Sequence, residues 1–284
     1  MRCIVGIEQV GKTKEQLKQV IYAIAAAAAC LFAYKLFFNP IRNMFPSQIL
    51  GFFIARLLFA MLVPIAMVVI RRRDVLEADW SALKQGWTAA GFEIALILFY
   101  LWGGSGALPE SEAYWWEWIL LILFAFLVGY CEETLFRGFV LKALLRYFGE
   151  ESRTSVLISL LLSGLIFGIS HISNVFENGV TLSGALYQAA VTAAHGVYLG
   201  AIFYRTKKNM WFNAILHGIY DLVGIIQLGI LRHGDTVQFT PAASPRSIIT
   251  ILVWTLLFLG STLIVLRPGK LDPLLQKPAA KTTE

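Results

Sequence analysis

Apolar residues come in long runs, and charged positions interrupt those runs instead of alternating with them. Runs of roughly 20 apolar residues, enough to cross the hydrocarbon of a bilayer at about 1.5 Å per helical residue, recur near 18–38, 47–70, 85–104, 114–136, 154–172, 183–204, 209–230 and 245–266. The pattern predicts an all-α fold, a polytopic integral membrane helical bundle of about eight transmembrane helices. The intervening loops are short, so residues 1–284 are expected to form a single membrane domain.

Composition agrees: 57% of the residues are hydrophobic and only 15% are charged, a balance that excludes an ordinary soluble domain. Lys and Arg fall unevenly across the expected spans. One side receives the N-terminal tail, Arg71, Arg72 and Arg73, the segment after Arg137, Lys207 and Lys208, and the C-terminal tail. The other side receives Arg42, Arg232 and Arg246 and an acidic loop with Glu110 and Glu112. This asymmetry places both termini in the cytoplasm of a multi-pass protein, expected in the plasma membrane of a bacterium. The net charge of +6 then reports orientation against the lipid bilayer, and no nucleic-acid partner is expected. The first span, preceded by Lys12, Lys14 and Lys18, is expected to be a signal anchor. Cys3, Cys30 and Cys131 have no metal-site spacing.

The candidate chemistry sits at a few charged positions within the spans, where ionisable residues default to function. Glu132 and Glu133 end an almost uncharged run. If the helix continues, Glu133 shares a face with Arg137 four residues on and can pair with it, whereas Glu132 points about 100° away. The continuation 135–146, with charges at 137, 142 and 146, is amphipathic and is expected to project beyond the bilayer. The next two spans form a hairpin turning near 151, so Glu132, 19 residues before the turn, and His171, 20 after it, come to the same level. His217 and Asp221 are four apart near mid-membrane. Elsewhere, Arg56 and Glu93 are each about nine residues inside their spans and are expected to pair, and Lys35 is placed to snorkel. A base beside oxyanion donors suits peptide hydrolysis. Two histidines with a carboxylate also suit zinc, and spacing alone leaves the cofactor unknown; His171, His217, Glu132 and Asp221 are the ligand candidates.

Glu132-Glu133-x-x-x-Arg137, Phe167-x-x-x-His171 and His217-x-x-x-Asp221, in that order on helices, resemble the three-motif signature of the CAAX protease and bacteriocin-processing (CPBP, or Abi) family, which includes the Ras-converting CAAX prenyl endopeptidases. The likeness covers about 115–225, which would be the catalytic core. It implies an intramembrane endopeptidase acting on a membrane-associated peptide or protein. By that resemblance Glu132 and His171 activate water, His217 with residue 221 holds the oxyanion, and Glu133 and Arg137 brace the site, with Phe167 supporting. The family is described both as glutamic-type and as metal-dependent, which leaves a divalent metal such as zinc open. One departure is Asp221, where the prenyl endopeptidases carry Asn; an amide donates a hydrogen bond and an ionised carboxylate only accepts.

Other readings use other residues. Gly103-Gly104-Ser105-Gly106 with Ala194-His195 echoes rhomboid-type serine proteases, but Ser105 and His195 fall at different depths. Tyr220-Asp221 echoes half of a presenilin-type aspartyl site. A non-proteolytic membrane adaptor or immunity protein, or a proton-coupled transporter, would also tolerate buried acids and histidines.

Overall fold

The structure is a computed structural model that describes residues 14–69, 72–104, 113–176, 180–227 and 245–276. Among the described residues the regular structure is all helical, with no strand. The helices are α1 (Lys14–Ala33), α2 (Asn39–Arg42), α3 (Gln48–Val69), α4 (Leu83–Ala89), α5 (Gly91–Gly104), α6 (Trp115–Glu133), α7 (Lys142–Phe148), α8 (Arg153–Ser170), α9 (Leu182–Arg205), α10 (Met210–Gln227), α11 (Pro245–Val265) and α12 (Pro268–Leu271). By length and composition, five helical stretches can cross a membrane: Lys14–Arg42, Gln48–Val69, Trp115–Phe148, Arg153–Phe176 and Ile248–Val265; Gly91–Trp102 and Met210–Ile226 are shorter apolar helices. Large apolar side chains such as Leu58, Met61 and Ile65 on α3 and Leu252, Leu256 and Leu263 on α11 stand exposed on the outside. Such a surface suits lipid and not water. The protein is an all-α integral membrane bundle.

Local sequence sets the helix ends near the site. The side chain of Ser152 caps α8 by accepting from Ser155 N at 3.1 Å, and Thr181 caps α9 by accepting from Gly184 N at 3.1 Å. Gly149, at φ 84°, takes the left-handed backbone that stops α7 before the turn into α8. The hairpin around 151 is therefore present.

α6 packs along α10 and α3, and α8 along α9, with α11 outside α9. The α6–α10 approach depends on Gly129, where a Cβ would lie 2.5 Å from Ala214 O and 2.8 Å from Gly218 N. That contact brings the end of α6 against the middle of α10.

The helix continues beyond Glu133 as far as Phe148, but not as a regular α-helix: residues Thr134–Leu141 form a π-helix, and all eight are buried. Thr134 Oγ1 donates to Tyr130 O at 2.7 Å, a bond back across the turn that loosens the regular ladder where π-turns begin. The charges after it are held by the segment following α3: Lys142 Nζ donates to Asp74 O at 2.7 Å and Arg146 Nη2 to Asp74 Oδ2 at 3.1 Å. Lys35 Nζ donates to Asn174 Oδ1 at 2.7 Å in a partly buried contact.

Candidate active site

The two adjacent carboxylates on α6 live in different surroundings. Glu133 is sealed, with 0% side-chain exposure. Its Oε1 lies 2.9 Å from Arg137 Nη1 and accepts from His217 Nδ1 at 2.8 Å, while its Oε2 accepts from Asn213 Nδ2 at 3.2 Å. Asn213 is itself held, donating to Leu199 O at 2.7 Å. Glu132 forms no hydrogen bond to a described residue; its side chain is 16% exposed and its nearest charged neighbour is His217 Nε2 at 3.9 Å. The pairing of Glu133 with Arg137 and the separation of Glu132 from it follow from helical geometry, because the first π-turn keeps Arg137 within reach of Glu133.

Arg137 is as buried as its partner. Its Nη2 donates to Gly196 O at 3.2 Å and its guanidinium lies 4.4 Å from the Phe167 ring centroid. Phe167 in turn packs edge-on to His171 at 4.7 Å and to Phe136 at 4.8 Å between centroids. Phe167 therefore joins the ion pair to the His171 ring. His171 sits at the C-cap of α8, where its Nδ1 lies 2.9 Å from Phe167 O. A carbonyl only accepts, so Nδ1 carries a proton, and when the ring is neutral Nε2 keeps its lone pair.

Glu132, His171, His217, Asp221 and Phe167 line one cavity of about 460 Å³. His217 presents Nε2 to it, 3.5 Å from Asp221 Oδ2, while Glu133 fixes the opposite face of the ring. Glu133 and Arg137 lie behind the cavity wall. The four residues expected from sequence are thus brought together, and the two residues expected to brace them stand next to them. Among the described residues, no group of three or more His, Cys, Asp or Glu side chains is arranged to hold a metal ion.

Residues 114–223 match the sequence profile of the family described as type II CAAX prenyl endopeptidase Rce1-like. These residues form a domain of the CAAX protease family. Neither the curated proteins nor the solved structures contain a match. The CAAX-protease segment starts just before α6 and ends inside α10, so α1, α3 and α5 lie outside it.

Several neighbours of the site were not read from sequence. Asn213 was legible in principle, since it precedes His217 by four residues, as His217 precedes Asp221. The expected Arg56–Glu93 pair does not form. Glu93 Oε1 instead lies 2.8 Å from His195 Nε2, and the His195 ring stands 5.7 Å from that of His217. Depth along adjacent spans put Arg56 and Glu93 level, but α5 packs on α10 and not on α3. His195 thus belongs to the same cavity as the CAAX-protease motifs. Ser105 and Gly106 of the rhomboid-like reading, the acidic loop with Glu110 and Glu112, Arg71, Arg232, Cys3 and both tails lie outside the described residues.

Proposed function

We propose that the protein is an intramembrane endopeptidase that hydrolyses a peptide bond of a membrane-associated peptide or protein. Its family makes protease chemistry in a membrane the general expectation. The bonding asymmetry of the two carboxylates carries the finer reading: Glu133 is spent on Arg137, His217 and Asn213, and Glu132 is left open to the cavity.

In this reading a water between Glu132 and His171 Nε2 gives its proton to Glu132 and attacks the scissile carbonyl. The oxyanion that forms is met by His217 Nε2–H, the imidazole being held in its charged form by Glu133 on Nδ1. Collapse of the tetrahedral species breaks the C–N bond, and the proton on Glu132 passes to the leaving amine. Asp221 sits beside Nε2 and steadies that charged imidazole until substrate enters. No step is routed through a metal. Residues 115–225 act as the catalytic core of a single membrane domain, with both termini in the cytoplasm of a bacterial cell and the site reached from that side.

The test is a panel of His171→Ala, His217→Ala and the double variant, reconstituted in liposomes with membrane-anchored peptides. Each single change is expected to remove ~10²-fold or more of the cleavage rate, and the double to cost little further, because residues acting on one water and one oxyanion fail together. Wild-type rates in both single variants would reject the reading.

A further inference from the structure

The cavity has a wall that the family motifs do not account for. Arg56 lies nine residues into α3, outside the CAAX-protease segment, and lines the same cavity as Glu132 and Asp221. Its Nε is buried with no hydrogen-bond partner. Among the described residues no carboxylate approaches it within ion-pair distance. Its guanidinium rests 4.3 Å from the centroid of the Tyr34 ring, which supports a cation without neutralising it. Glu132 and Asp221 act on it only at longer range.

A buried guanidinium without a hydrogen-bonded counter-ion is expensive, and more so inside a membrane. What sets Arg56 apart from Arg137, equally deep, is the counter-ion: Arg137 also has buried nitrogens without a hydrogen-bond partner, but it has the Glu133 carboxylate at 2.9 Å and donates to Gly196 O. Two more cations, Lys35 and Arg42, line the cavity from the same part of the chain. The cavity is therefore bipolar, with cations contributed by residues 35–56 and carboxylates by α6 and α10. A peptide lying across it would put an anionic group at Arg56 while its amide bond reaches Glu132.

We propose that Arg56 binds a carboxylate of the substrate, so that the N-terminal helices select where along the peptide the cut falls. This rests on the endopeptidase reading above. Guanidinium is the side chain best shaped for the task, since it offers parallel donors to both oxygens. The carboxylate has two possible sources, the free C-terminus or an acidic side chain near the scissile bond, and both are recognised by the same chemistry.

The test uses one membrane-anchored peptide in three forms: free C-terminal acid, C-terminal amide, and amide with a Glu placed two or three residues beyond the cut. kcat and KM are measured for wild type, Arg56→Gln and Arg56→Lys in liposomes. Binding of the same peptides to Glu132→Gln protein, with and without Arg56→Gln, is measured in parallel by fluorescence anisotropy. Wild type is expected to favour at least one carboxylate form over the plain amide by about tenfold or more, expressed in KM, as one charge-assisted hydrogen-bonded contact provides. Arg56→Gln should bring that ratio towards one, and Arg56→Lys should leave part of it. The form preferred identifies the source of the carboxylate. An unchanged ratio in Arg56→Gln, or no preference in wild type, overturns the proposal. Should no peptide be cleaved, the endopeptidase reading fails, and the binding ratios still decide the role of Arg56.

Discussion

Replacing Glu133 by Gln separates a structural carboxylate from a chemical one. Glu133 accepts from two donors, His217 and Asn213, and lies 2.9 Å from Arg137 Nη1, in surroundings where it is 0% and Arg137 only 1% exposed. Gln keeps the shape but offers one acceptor oxygen and two donor hydrogens, so at least one neighbouring N–H must face another donor. It also leaves the Arg137 charge buried without its partner. Breaking a buried pair from one side costs about 3–5 kcal/mol, and we expect Glu133→Gln to lose stability of that order as well as activity. Glu132→Gln removes a carboxylate that is 16% exposed, without hydrogen bonds, and 3.9 Å from its nearest partner; its stability should change by less than about 1 kcal/mol. The assay is thermal and denaturant unfolding of both purified variants in one detergent, beside peptide cleavage. A Glu133→Gln protein as stable as wild type would refute the bracing role and move Glu133 into the chemistry.

Asn213→Ala should destabilise by about 1–3 kcal/mol, since it leaves one buried Glu133 oxygen without its donor and removes the side-chain bond to Leu199 O; unfolding measurements check it, and a silent change would count against the network. Asp221→Asn should retain most of the activity, because the amide keeps the volume beside His217 Nε2 and can donate to an oxyanion; a steep loss accompanied by loss of bound metal in elemental analysis would instead make Asp221 a ligand. Partial burial pushes the Asp74 carboxyl up, but the Arg72 hydrogen bond and the charges of Arg72, Lys142 and Arg146 more than offset this and hold it below its usual range. A lowered folded-state value means stability that is present above the ordinary carboxylate range and is lost as pH falls through the lowered one. Asp74→Asn should therefore reduce the melting temperature at neutral pH, with the gap to wild type closing on acidification; a pH-independent gap would exclude the ion cluster as its cause.

The apolar runs made the helices legible, and the spacing of charges within them made most of the site legible. Helical periodicity at 133 and 137 and at 217 and 221 needs only local geometry, and the hairpin arithmetic for Glu132 and His171 needs only a turn near 151. What spacing could not supply was which helix lies beside which. Arg56 and Glu93 share a depth, yet α3 faces α6 and α5 faces α10, so Glu93 meets His195 and Arg56 meets Tyr34. The π-helix after Glu133 was equally hidden, because Thr134–Leu141 reads as a good amphipathic α-helix and only the enclosing helices bury every residue in it. Residues that act through tertiary contacts, Asn213 and Gly129 among them, acquire meaning once α6 is seen against α10.

Activation of water by Glu132 is tested most directly by one measurement: cleavage of a membrane-anchored peptide by wild type and Glu132→Gln protein, purified identically, reconstituted at equal density and shown to unfold at the same temperature. Wild type should release product, and the variant should fall by ~10²-fold or more. Equal cleavage by a correctly folded Glu132→Gln protein would contradict the mechanism.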